Sequence, residues 1–232
     1  MSERFFVAES LSPGPVSITG PEAHHMAQVL RLKPGNSIVL FNGDGHEYPA
    51  SVESVQKNLV QVTVLSIHTP LRERSISLTI ACPVPKGDRT QFLIEKLTEL
   101  GVHRFIPLKT QRSVIHPGEG KLDKLNRYVV EACKQCGRNV LMSIEPMMSW
   151  QDVVTDSTLP DLRLVADASG NERISLTNHA KSAMIAIGPE GGWTSDEILL
   201  AREHRWKLVT LAPAILRLET AALAAAVLAL EG

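Results

Sequence analysis

Residues Ala183–Thr194 read AMIAIGPEGGWT, and few stretches restrict a fold as tightly. Ala183 to Ile187 is a short, unbroken apolar run bounded by Gly and Pro. That pattern fits a strand buried on both faces of a parallel sheet. Pro189 has no N–H and Gly188 tolerates unusual backbone angles, so the ladder must end there. Gly191 and Gly192 carry no side chain to keep a ligand from the main chain. Thr194 or Ser195 can cap a helix whose first turn holds Asp196 and Glu197. The stretch is therefore either a plain strand–turn–helix connection or a ligand cradle at the carboxyl end of a sheet.

A second stretch repeats the arrangement. Leu208–Leu211 is another apolar run, followed by Ala212-Pro213-Ala214 and then ILRLETA, Ile215 to Ala221. It leads into a helix expected over Thr220–Leu230. Arg217 and Glu219 stand at the mouth of that helix inside an apolar segment, where isolated charges need partners or a purpose. A structural ion pair, with Glu219 favoured by the helix dipole, is one explanation.

Together, GPEGGWT…E (Gly188 to Glu197) and ILRLETA resemble the signature of the SPOUT methyltransferase superfamily. More narrowly, they resemble the ribosomal RNA small subunit methyltransferase E family, which methylates N3 of a uridine in 16S rRNA. The order and spacing of the two motifs are far more specific than a lone glycine-rich loop. The chain departs from the family pattern at Ala212 and Ala214, where Gly and Arg are usual.

The formal net charge of the 232 residues is −1, with no global basic signature for nucleic acid. The charge is uneven, however. Residues 85–138 carry eleven Lys/Arg against six Asp/Glu, and residues 139–232 carry seven against twelve. A basic middle is compatible with one phosphate-facing surface. Three cysteines exclude a disulfide framework and suggest a reducing, cytoplasmic setting. Cys133 and Cys136 form a single C-x-x-C in a helical pattern and read as ordinary helix residues, so no metal is expected. No apolar run reaches membrane length.

Residues 1–70 read as a small β domain. Strands are expected at Arg4–Val7, Ser37–Asn42, Glu47–Val55 and Leu59–Ile67, with a short helix at Gly20–Arg31 opened by Pro21. Hairpin turns fall at Asn42-Gly43-Asp44-Gly45 and Gln56-Lys57-Asn58. RFFV, HHMAQVLR and FNGDG resemble landmarks of the family's PUA-like, OB-type barrel, which helps to hold RNA. Thr69–Arg74 is a polar linker containing Pro70, and it divides a domain at 1–70 from one at 75–232. From Ser75 strands alternate with helices. Strands are expected at Ile76–Cys82, Arg104–Leu108 and Leu162–Ala166, and helices from Asp88 or Thr90 to Leu100, at Lys121–Gly137 and at Ser149–Thr155. Alternation of this kind predicts an α/β fold with a parallel sheet. The resemblance implies more: a C-terminal trefoil knot, and a homodimer with the cofactor site near its interface. A final helix that is apolar all round fits burial in either.

The resemblance also implies S-adenosyl-L-methionine as cofactor. Gly188, Pro189, Glu190, Gly191 and Gly192 match its first loop. Leu211, Ile215, Leu216 and Arg217, with Thr220 beyond, match the second. The Leu164–Asp167 strand end, including Ala166, would form the third wall. Uracil N3 carries a weakly acidic proton, and a cation near the base oxygens would stabilise the anion left behind. Arg217 is the candidate for that role; a salt bridge to Glu219 that only shapes the loop is the alternative. Glu190 or Glu219 are candidate proton acceptors. RNA contacts are expected from Arg4, from Lys86 and Arg89 in KGDR, from Arg112 in QRS, and from Gln135 and Arg138 in EACKQCGR. The implied partner is 16S rRNA of the small ribosomal subunit. A SPOUT enzyme acting on another RNA such as tRNA, or a non-catalytic RNA-binding assembly factor, are the competing readings.

Overall fold

The computed structural model describes residues 3–113, 122–156, 158, 160, 162–170, 172–174 and 180–230. The chain divides into two compact units. One holds residues up to Glu73 together with Cys133–Leu141; the other holds Arg74–Ala132 and Met142 onward.

The first unit is a five-stranded mixed sheet of β1 (Glu3–Phe6), β2 (Gly14–Thr19), β3 (Ser37–Phe41), β4 (Tyr48–Val55) and β5 (Leu59–Val64), in the order β1-β3-β4-β5-β2. Only the β1–β3 pairing is parallel; the others are antiparallel. Sequence patterning did not reveal β2. Its Gly-Pro start reads as a turn, yet Pro15 is harmless because β2 is an edge strand. Helix α1 (Gly20–His24) continues into a π-helical turn, His25–Val29, and the chain leaves through Arg31 in a left-handed conformation, φ 51°. Alternate residues of the strands, among them Phe5, Ile38, Leu40, Val52, Val60 and Val62, form the core of the unit.

Segment Cys133–Leu141 is bound into this unit by charge. The Arg138 guanidinium is 4% exposed and forks onto Glu73, with Nε to Oε1 at 2.9 Å and Nη2 to Oε2 at 2.7 Å. Arg4 donates to Glu47 and to the Asn139 side chain. Arg72 donates to Glu47 and to the Gly137 carbonyl. Burial would raise the Glu47 carboxyl, but hydrogen bonds from Arg72 and then Arg4 outweigh it and hold it below its ordinary range. Lys134 reaches Glu22 at 3.0 Å.

The second unit is an eight-stranded sheet. Its strands are β6 (Ser77–Cys82), β7 (Arg104–Lys109), β8 (Ser143–Ile144), β9 (Met148–Ser149), β10 (Leu162–Ala166), β11 (Glu172–Arg173), β12 (Ser182–Ile187) and β13 (Lys207–Thr210). The order is β11-β13-β10-β12-β6-β7-β8, with β9 also on β7, and every pairing is parallel. The helices are α2 (Asp88–Leu100), α3 (Leu122–Cys136), α4 (Trp150–Thr155), α5 (Ser195–Glu203) and α6 (Leu218–Leu230). The expected start of α3 at Lys121 lies outside the described residues. Helix α2 ends at Gly101, whose φ of 93° is the left-handed cap that glycine adopts without strain.

The period of two in β12 sends Met184 and Ala186 to a cluster with α4 and α5, while Ala183, Ile185 and Ile187 are buried on the other side. Helix α6 packs on α2, β6 and β12 through Ala221, Ala222, Ala225, Ala226 and Ala229, small residues that permit close approach. Strand β13, by contrast, sits on the far side of β10. Between β13 and α6 the chain must therefore double back across the carboxyl ends of β10 and β12. No helix among the described residues is long and apolar enough to cross a membrane.

Candidate functional site

The returning segment covers three adjacent strand ends and encloses a cavity of about 550 Å³. That is within the ordinary range for small-molecule sites, roughly 300–1,000 Å³. Three stretches line it: Ala166–Ala168 after β10, Ile187–Trp193 after β12, and Thr210–Leu218 except Pro213 after β13, with Ala221 behind. Nine of the nineteen lining residues are Gly, Pro or Ala, which leaves main-chain N–H and C=O groups accessible where larger side chains would cover them. Open α/β sheets bind ligands at such carboxyl ends.

The middle loop is tightly held. A Cβ on Gly188 would lie 2.9 Å from Trp193 Nε1. The Trp193 indole N–H donates to the Ala166 carbonyl at 3.0 Å, tying this loop to the neighbouring strand end. The Trp193 ring packs on Trp150 at 4.5 Å, and Trp150 packs on Trp206 at 5.2 Å. All three tryptophans of the protein thus form one cluster beside the cavity. Gly192 donates to the Pro189 carbonyl at 2.8 Å, closing a turn. Thr194 then caps α5 in a full capping box with Glu197. The Glu197 carboxylate is buried but satisfied, since its other oxygen accepts from the Gln111 amide at 2.8 Å.

Two arginines brace the same loop from outside. Arg112 Nη1 donates to the Gly191 carbonyl at 2.7 Å, and its aliphatic stem lies against Gly191, where a Cβ would meet it at 3.3 Å. Arg89, in the first turn of α2, places Nη1 3.7 Å from Glu190 Oε1 and 3.6 Å from Glu219 Oε2. Glu219 is buried at the start of α6, and its Oε2 has no hydrogen-bond partner. The ion pair with Arg89 is what compensates that charge.

The expected site residues divide as follows. Ala166, Gly188, Pro189, Glu190, Gly191, Gly192, Leu211, Ile215, Leu216 and Arg217 line the cavity. Leu164 does not: it is buried within β10, two residues short of the strand end. Thr220 is an exposed residue of α6 and does not line it either. Arg217 is exposed and, among the described residues, has no ion-pair partner. The Arg217–Glu219 salt bridge considered from sequence is thus replaced by Arg89–Glu219. Lys86 is exposed just before α2, and Gln135 is exposed in α3. Arg4 and Arg138 are committed to the carboxylates of the first unit. Trp193, Thr210, Ala212, Ala214 and Leu218 also line the cavity. Their one sequence signal was position, inside or directly beside the two bent loops. No group of three or more His, Cys, Asp or Glu among the described residues is placed to hold a metal.

Residues 72–230 match a family model described as an RNA methyltransferase domain, and residues 18–65 match an RNA methyltransferase PUA domain. The chain is 32% identical to ribosomal RNA small subunit methyltransferase E of Bacillus subtilis (strain 168), over 95% of this chain and 93% of that one. It is 33% identical to the Rickettsia conorii protein of the same name, over 87% and 83%. Among solved structures it is similar to a ribosomal RNA small subunit methyltransferase E from Neisseria gonorrhoeae bound to S-adenosyl methionine. The TM-score is 0.89 at 30% identity, covering 97% of this chain and 95% of that one. A putative methyltransferase from Legionella pneumophila in complex with the cofactor superposes with a TM-score of 0.91 at 29% identity, covering 98% and 97%.

Proposed function

The chain belongs to the ribosomal RNA small subunit methyltransferase E family, and from that premise we propose that it methylates N3 of a uridine in 16S rRNA with S-adenosyl-L-methionine as donor. The observation that carries the reading is the cavity closed by three strand-end loops. The cofactor has an adenine, a ribose and an amino-acid tail but no phosphate. It calls for exposed main-chain donors and acceptors in bent loops, and the Gly-, Pro- and Ala-rich lining offers them. Gly188–Gly192 and Leu211–Arg217 would hold it, with Ala166 as the third wall. When bound, it supplies an electrophilic methyl group on a sulfonium.

The chain's own residues then have two tasks. The loops hold the reactants in line and exclude water, which is most of the catalysis available to a direct displacement. As N3 loses its proton, negative charge spreads onto the uracil oxygens, and the Arg217 guanidinium at the cavity, which has no ion-pair partner among the described residues, is the group to stabilise it. Glu219 is less suited to accept that proton, because it is buried and does not line the cavity; Glu190, although Arg89 also lies 3.7 Å from it, is exposed and lines the cavity. Lys86, Arg89, Arg112 and Gln135 are the residues offered to RNA. Arg4 and Arg138 serve instead to hold the first unit together.

Mass spectrometry of nucleosides from small-subunit rRNA tests the reading. Cells lacking the protein should lose 3-methyluridine, and the wild-type chain should restore it. Gly191→Trp should not restore it, since its side chain would fill the cavity or displace Arg112. Unchanged 3-methyluridine in the deletion would redirect the assignment to another RNA.

We also propose a cytoplasmic homodimer. Supporting it, Ile215 is 96% exposed in the returning segment, and Val227 and Leu228 are 41% and 42% exposed on the apolar helix α6. Sedimentation should give about twice the chain mass of 25.4 kDa, and Val227→Glu with Leu228→Glu should reduce it to one. A wild-type monomer would refute the assignment.

A further inference from the structure

Taking the S-adenosyl-L-methionine reading as its basis, we infer that Arg89 and Arg112 are positioning residues of the cofactor loop, and that RNA phosphates bound on their free edges tighten cofactor binding. Both arginines grip the 188–193 loop, but from different elements: Arg89 through the Glu190 carboxylate, Arg112 through the Gly191 carbonyl. Arg112 Nη1 also points at the Trp193 carbonyl, at 3.4 Å. Arg89 extends its grip to Glu219 and so joins the first cofactor loop to the start of α6, where the second loop ends.

Each arginine spends a single nitrogen on these contacts. Arg112 uses Nη1 for both carbonyls, and Arg89 uses Nη1 for both carboxylates. Neither guanidinium has another partner among the described residues. The Arg89 side chain is 41% exposed and Arg112 is exposed. The remaining Nε and Nη2 edge is the planar fork that takes a phosphate bidentately. A phosphate can therefore bind without displacing the loop. By immobilising the guanidinium, it lowers the entropy lost when the loop closes on cofactor, and coupling of this kind is reciprocal.

Calorimetric titration of the full chain with S-adenosylmethionine alone, and with S-adenosylhomocysteine both without and with a 16S rRNA transcript, tests this. Without RNA, Arg112→Ala and Arg89→Ala are each expected to raise the cofactor Kd about tenfold. The transcript is expected to lower the wild-type Kd at least fivefold, an effect that fades with added salt and is lost in Arg112→Ala. Arg112→Lys keeps the charge but not the fork and should not restore the coupling. Because Arg89→Ala strands the Glu219 charge, Arg89→Ala/Glu219→Gln serves as its folded counterpart, checked by its thermal transition. Variants that bind cofactor like wild type without RNA would overturn the positioning role and leave only an RNA contact. A wild-type Kd indifferent to the transcript would overturn the coupling. Failure of the wild-type chain to bind S-adenosylmethionine at all would instead refute the proposed function on which the inference rests.

Discussion

Arg217→Ala is expected to lower turnover at saturating cofactor and RNA by about 100-fold or more, the usual effect of removing one preorganised stabiliser of a developing oxyanion. The cation lines the cavity, yet no carboxylate among the described residues neutralises it. The acid nearest in sequence, Glu219, faces Arg89 instead. A charge without an ion-pair partner among the described residues is available to the reacting base, and it gains strength only as the bound reactants exclude water from around it. Measuring at saturating cofactor separates this effect from any weakened cofactor binding. Arg217→Lys should recover part of the rate, because it retains the charge without the planar donors. Turnover equal to wild type in Arg217→Ala would remove this residue from the chemistry.

Trp193→Ala is expected to destabilise the second unit by about 3–5 kcal/mol, the range for deleting a buried aromatic side chain. Trp193 is 8% exposed, packs on Trp150 with the rings tilted and fills the space beside Gly188. Its indole N–H also satisfies the Ala166 carbonyl, a bond that fixes two of the three cavity loops to each other. Urea unfolding followed by the fluorescence of Trp150 and Trp206 reads the loss directly. Trp193→Phe separates packing from the hydrogen bond. It should retain most of the stability while weakening cofactor binding, since the loop would lose its anchor. A Trp193→Ala chain within about 1 kcal/mol of wild type would show that the loop is held by something else.

The modules of the site were legible in the linear pattern. The apolar run Ala183–Ile187, its abrupt end at Gly188-Pro189 and the cap at Thr194 all depend on residues adjacent in the chain, and β12, its loop and α5 follow them closely. The same holds for the run Leu208–Leu211, which forms β13 over Lys207–Thr210, and for α6, although that helix begins at Leu218, two residues earlier than expected, and so places Glu219 in its first turn. Strand β2 escaped notice because a Gly-Pro pair reads as a break in any window that cannot see the strand lies at an edge.

What stayed hidden were the pairings between distant residues. Arg138 reads as an RNA contact until the fold brings it to Glu73, 65 positions away, and Arg4 is likewise claimed by Glu47, 43 positions away. Leu164 and Thr220 sit close in sequence to cavity residues, but the direction of a strand and the rotation of a helix turn them elsewhere. By itself the sequence determined which segments become strands, bent loops and capped helices, because backbone preference and hydrophobic period act over a few residues. Only the tertiary structure decided that three of those loops close on one cavity, that Arg89 rather than Arg217 neutralises Glu219, and that Arg217 has no ion-pair partner among the described residues. Those outcomes depend on strand order and chain crossing, which bring together charges that no local pattern relates.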